Sequence, residues 1–266
     1  MTDTDTLKRH RARATADGMF LHAAAADELH DRLDMVKKPF KDTAIVTGFA
    51  DFWAKAHPNA MVTEDAETLN LSPQSHDLVA HMMGLHWAND PVGQLIQCRR
   101  ALRPDGLFIA ISFGGDTLQE LRRALGEAEI AVTGGLSPRI APLPELRDLG
   151  GLLQRAGFAL PVADTTTLTV EYRDIWHLMH DLRAMGETNA LSNRLRKPTR
   201  RAVFQHAQEL YAQHFAAASG RLRASFELQT LTGWAPDASQ QQPLRPGSAQ
   251  QRLADALGTP ETPLKD

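Results

Sequence analysis

The run Leu107-Phe108-Ile109-Ala110-Ile111-Ser112-Phe113 constrains this chain most. It is apolar at every position but Ser112, with no alternation between polar and apolar residues. A strand of that kind must be covered on both faces, which is the habit of parallel sheets flanked by helices. Turn residues bound it: Arg103-Pro104-Asp105-Gly106 before, Gly114-Gly115 after. Shorter runs of the same texture lie at Thr43–Gly48, Ala60–Thr63 and Asp77–Met83. Between the last of these and residue 107, Val92, Leu95, Ile96 and Leu102 recur at helical spacing.

Residues 7–36 also read as helical, ending before Pro39. In the second half, helices are expected at 144–156, 173–185 and 199–217. Strands are expected at 158–162, 165–172 and 223–234, and Asp116 or Thr117 is expected to cap a helix through residue 126. The fold class is therefore α/β, a Rossmann-like, mostly parallel sheet with helices on both faces. Three regions follow: an N-terminal helical segment (1–40), a sheet domain (41–235) with a helical insertion at about 173–220 before the last strand, and a polar tail (236–266).

The charge balance, Lys+Arg 29 against Asp+Glu 32, argues against a general nucleic-acid binder. The single cysteine, Cys98, excludes an intramolecular disulfide and a Cys-rich zinc site, and it reads as a small buried residue rather than a nucleophile. No apolar run is long enough to span a membrane and no secretory leader is visible, so a soluble cytoplasmic protein is expected. Lys8, Arg9, His10, Arg11 and Arg13 form a basic cluster, read as a solvated helix start with a partner-docking arm as the alternative. No nucleophile elbow or phosphate loop is present, and His177 and His180 lack the carboxylates of a helical metal site, so no metal is expected.

In open parallel sheets, ligands bind beyond the carboxyl ends of the strands. The positions to watch are Gly48, Asp65, the stretch Gly84–Asp90, and Gly114-Gly115-Asp116. Leu85-His86-Trp87-Ala88-Asn89-Asp90, followed by Leu102-Arg103-Pro104-Asp105-Gly106-Leu107-Phe108, resembles class I S-adenosylmethionine (SAM)-dependent methyltransferases. Phe113–Leu118, Asp148-Leu149-Gly150, Arg155–Phe158 and Met185–Asn189 are similar to the branch holding the methyltransferase-like assembly factor of respiratory complex I and its bacterial relatives. The resemblance implies a seven-stranded sheet holding SAM, with Gly48, Asp65, Leu85 and His86 on the cofactor side. It places Trp87, Gly114, Gly115, Asp116, Glu187 and Asn189 on the side of a substrate or partner. It also implies a protein substrate, an arginine of an iron–sulfur subunit of the complex, modified by hydroxylation. The catalytic residue is not identified.

The chain departs from that pattern where SAM is held. Of the glycine-rich turn only Gly48 remains, with Ala50 and Phe52 where further glycines stand. One acid, Asp65 (or Glu64), faces two duties, the ribose hydroxyls and the adenine amine. Residues 48–65 have lost most of one strand–helix unit. Loss of a carboxylate–diol pair weakens binding by about two to four orders of magnitude. Two functions follow: a methyltransferase-family enzyme with weakened SAM binding, or a non-catalytic scaffold that binds a partner during assembly.

Overall fold

The computed structural model describes residues 1–241, Asp255 and residues 257–259. Strand β1 (Thr43–Thr47) lies inside a six-stranded sheet of order β2-β1-β3-β4-β6-β5. The other strands are β2 (Met61–Thr63), β3 (His76–Met82), β4 (Leu102–Phe113), β5 (Ala159–Tyr172) and β6 (Leu222–Trp234). β2, β1, β3 and β4 run parallel, with Ala44 opposite Val79 and Ala80 opposite Ile109. β6 inserts antiparallel between β4 and β5.

The apolar strands are explained by two cores, one on each face. Ile45, Ala80, Ile109 and Ile111 point to one core. It packs against α2 (Phe20–Val36), α3 (Ala50–Ala56), α5 (Gln119–Thr133), α7 (Ile175–Ala184) and α8 (Arg201–Phe215). Their sequence neighbours Ala44, Val46, Val79, Phe108 and Ala110 point to the other core, with α4 (Pro91–Ala101) and α6 (Leu146–Ala156). Buried Cys98 belongs to this second core, where desolvation pushes its thiol pKa up.

Several local expectations change in the folded chain. Among the described residues the sheet has six strands rather than seven. The segment expected as one helix over 7–36 is broken into α1 (Thr4–Arg11), a 3-10 turn (Ala16–Gly18) and α2. Gly18 marks the break, because a Cβ there would come 2.4 Å from the Ala184 carbonyl carbon. The turn at 103–106 lies within β4, with Asp105 at φ 58°. β5 is one long strand with an irregular register between Ala159 and Val162. Asp116 and Thr117 do not cap α5, whose N-cap position is Leu118. Thr117 instead exchanges hydrogen bonds with the Glu227 backbone, and the Asp116 amide donates to the Glu227 carboxylate.

The α7–α8 pair lies between β5 and β6. Met1–Pro236 form one unit, N-terminal segment included, and Asp237–Asp266 a second. In the second, Asp237 accepts from the Ser239 amide and hydroxyl. Most of the tail at 236–266 lies outside the described residues.

Candidate functional site

β1 leads outward to β2 on one side and is flanked by β3 on the other. The chain direction therefore switches between β1 and β3, and the crevice beyond their carboxyl ends is the expected ligand position. Gly48 follows β1 and Gly84 lies two residues past β3.

That crevice is filled by an ion pair. Arg11, the last residue of α1, donates from Nη1 to Asp65 Oδ1 at 2.7 Å and from Nη2 to Oδ2 at 2.9 Å. The two side chains are 8% and 6% exposed. The guanidinium lies against Gly48, where a Cβ would come 2.0 Å from Nη1. The carboxylate lies against Gly84, where a Cβ would come 2.3 Å from Oδ2. Both glycines are thus explained by close approach of an Arg11 or Asp65 atom, and neither takes a positive φ.

Several strands of bonding hold α1 in place. The Thr2 amide donates to Asn89 Oδ1, the Asp3 amide to the Ala190 carbonyl, and the Thr15 amide to the Ala184 carbonyl. Asp3 caps α1 through the Thr6 amide and accepts from Arg194. Asp65 follows β2, the strand directly beside β1, and its backbone carbonyl accepts from Gln94. Next to the pair a cavity of about 60 Å³ remains, lined by Leu7, Glu64, Asp65, Trp87 and Gln94 among others.

The basic cluster is therefore not simply a solvated face. Leu7 and Arg11 lie four residues apart, on one side of α1, and both turn inward. The signal in the sequence was that spacing, set against a single acid near a single glycine. Phe52 turns away from the crevice and meets His22 edge-on, with ring centroids 5.6 Å apart.

A second, larger cavity of about 550 Å³ opens beside the crevice. Phe113, Leu121, Leu125, Met179, Leu182 and Phe226 form much of its apolar wall. Its polar pole is His86, Trp87 and Glu187. Trp87 Nε1 donates to Glu187 Oε2 at 2.6 Å, and His86 Nε2 lies 3.3 Å from the same oxygen. The His86 and Glu187 side chains are 1% and 5% exposed. Burial alone would raise the Glu187 pKa. The charge and hydrogen bond of His86, the Arg11 charge and the Trp87 donor outweigh it and hold the carboxyl below its usual range. Glu187 Oε1 and His86 Nδ1 have no hydrogen-bond partner.

Asn189 and Thr117 also line this cavity, whereas Gly114, Gly115 and Asp116 do not. Asn189 donates to the Pro138 carbonyl and accepts from the Leu191 amide. Gly114 is required because a Cβ there would sit 2.4 Å from both Glu227 and Gln229. Leu85 is buried in the core between β3 and α4. Gly186, at φ 82°, turns the chain from α7 toward Glu187. Among the described residues no His, Cys, Asp and Glu cluster suits a metal.

Residues 41–110 match the Methyltransferase domain family. The chain is 39% identical over 192 residues to the mitochondrial arginine-hydroxylase NDUFAF5 of Homo sapiens, covering 72% of this chain and 55% of that one. It is 38% identical over 190 residues to the protein of the same name from Dictyostelium discoideum, covering 71% and 43%. A malonyl-[acyl-carrier protein] O-methyltransferase of Laribacter hongkongensis is 33% identical over 192 residues, covering 72% and 62%. The chain thus spans about half the length of the curated relatives it matches. Among solved structures, a presumed methyltransferase from Bacillus halodurans superposes with a TM-score of 0.51 at 13% identity, over 79% of this chain and 100% of that one. By sequence and by fold, this chain belongs to the class I SAM-dependent methyltransferase superfamily, on the branch of the NDUFAF5-type arginine-hydroxylase relatives.

Proposed function

We propose that this protein is a methyltransferase-family assembly factor that has given up SAM and uses its remaining cavity to bind a protein partner, with an iron–sulfur subunit of respiratory complex I as the candidate. The filled crevice carries the proposal. Arg11 stands over Gly48 and occupies both oxygens of Asp65, the acid that a nucleoside would need. The 60 Å³ left there compares with roughly 300–1,000 Å³ for small-molecule sites. These residues do not fit SAM as they stand. The larger cavity keeps the volume and the polar pole of a recognition site. No helix among the described residues is long and apolar enough to cross a membrane. We place the protein in the aqueous compartment beside its partner, the cytoplasm, although the arginine-hydroxylase relatives' names are mitochondrial.

Titration calorimetry with SAM and with its demethylated product tests the proposal. The intact chain is expected to show no saturable heat at several hundred micromolar ligand. Low-micromolar binding to the intact chain would restore the enzyme reading, with α1 withdrawing as the cofactor enters.

A further inference from the structure

Charge is distributed unevenly around the larger cavity. Glu187 is its one lining carboxylate among the described residues, and it is buried. Four arginines line it as well: Arg13, Arg139, Arg183 and Arg194. Arg139 is committed to Glu129, and Arg194 to Asp3 and Thr6. Arg13 and Arg183 are exposed, and their side chains make no hydrogen bond or ion pair among the described residues. Beyond the lining residue Leu195, itself 43% exposed, the chain continues through Arg196, Lys197, Arg200 and Arg201. No acid occurs between Glu187 and Glu209.

The buried pole asks for the opposite chemistry. Glu187 Oε1 is a buried acceptor with no donor, and His86 Nδ1 beside it has no hydrogen-bond partner either. A buried acceptor without a donor is costly, so an occupant that brings an O–H or N–H here gains more than packing. Between pole and rim the wall is apolar, formed by Phe113, Leu121, Leu125, Met179 and Leu182.

Resting on the partner-binding reading above, we infer that the cavity receives an acidic peptide segment that inserts a tyrosine or tryptophan side chain. The ring fills the apolar part, and its O–H or N–H reaches Glu187 Oε1. Aspartates or glutamates flanking that residue face Arg13 and Arg183. Aromatic side chains with one polar atom suit such half-apolar, half-polar sites. The cationic rim speeds encounter with an acidic segment and opposes a basic one.

Selection from a random phage-displayed peptide library against the full chain tests this. The expected consensus is a Tyr or Trp flanked by Asp or Glu. Replacing that aromatic by Phe in the synthetic consensus peptide is expected to weaken binding about tenfold against the intact chain. Against a Glu187→Gln variant the same replacement is expected to cost much less. Arg13→Glu with Arg183→Glu alters two exposed side chains without described partners, so the fold is kept and binding is expected to fall at least tenfold. A consensus rich in Lys or Arg, no consensus at all, or binding indifferent to the Arg13 and Arg183 changes would overturn the inference. Displacement of the consensus peptide by micromolar palmitate would assign the cavity to a lipid and overturn it as well. The SAM titration reads the crevice at Gly48 and the peptide selection reads the larger cavity, so either result can fail alone.

Discussion

Replacing Arg11 by Met removes one half of a buried ion pair while keeping most of the side-chain volume. Asp65 is then a carboxylate 6% exposed, with no counter-charge at either oxygen. Breaking a buried pair from one side costs about 3–5 kcal/mol. Total stabilities run about 5–15 kcal/mol, so this is a large fraction of the whole. With a urea slope of roughly 2–3 kcal/mol/M, the midpoint should fall by about 1–2 M. The double change Arg11→Met with Asp65→Leu removes both charges, and it is expected to recover most of that loss, because apolar replacements of buried pairs are often neutral or better. Arg11→Lys keeps the charge but loses the two-pronged geometry, and should fall between. The exposed Lys8–Glu64 pair, at 2.8 Å, serves as the control, and Lys8→Ala should move the midpoint far less. Equilibrium urea unfolding followed by tryptophan fluorescence reads all four variants. If Arg11→Met shifts the midpoint no more than Lys8→Ala, the crevice is not closed by this pair and SAM is not excluded by it.

Two further outcomes follow from single contacts. Gly48→Ala sets a Cβ 2.0 Å from the Arg11 guanidinium and should cost about 1–3 kcal/mol in the same unfolding assay. Combined with Arg11→Ala it should cost much less than the sum, since the clash disappears. His22 is fully buried, with Trp53 Nε1 donating to its Nδ1, and desolvation holds its pKa down to about 4. The unfolded chain therefore binds a proton there first as pH falls from about 6.5, and stability is lost between about pH 6.5 and 4, by roughly 3 kcal/mol. A His22→Leu variant should show a flatter stability profile over that range, and an unchanged acid limb would rule out this source.

Much of the architecture was legible from the chain's texture alone. Leu107–Phe113 had to be covered on both faces, and the two cores cover it. The helical spacing of Val92, Leu95 and Ile96 became α4, which starts where the Asp90 carboxylate accepts from the Gly93 amide. These features depend on neighbours in sequence and on hydrophobic pattern, which a linear reading contains. The expected loss of a strand–helix unit over 48–65 is corrected, because α3 and β2 both lie there, and it is from Asp65 to β3 that the chain runs without a helix or strand.

Other features depended on partners distant along the chain. The break in the 7–36 helix is set by the Ala184 backbone against Gly18, a contact across more than 160 residues. Asp116 looked like a helix cap, but Glu227, on the neighbouring strand β6 and 111 positions along the chain, takes its amide. Cys98 and Trp87 each read one way by pattern, yet only folding put Trp87 in contact with a carboxylate a hundred residues away.

What the sequence determined by itself was the class of fold and the positions of Gly48 and Asp65 after the first two strands, because strand burial and turn chemistry are local properties. Only the tertiary structure decided what stands between them. Arg11 and Asp65 are 54 positions apart, and a linear pattern holds no record of which cation a buried carboxylate will meet. Desolvation makes that meeting obligatory once both are enclosed, and enclosure is a property of the folded chain.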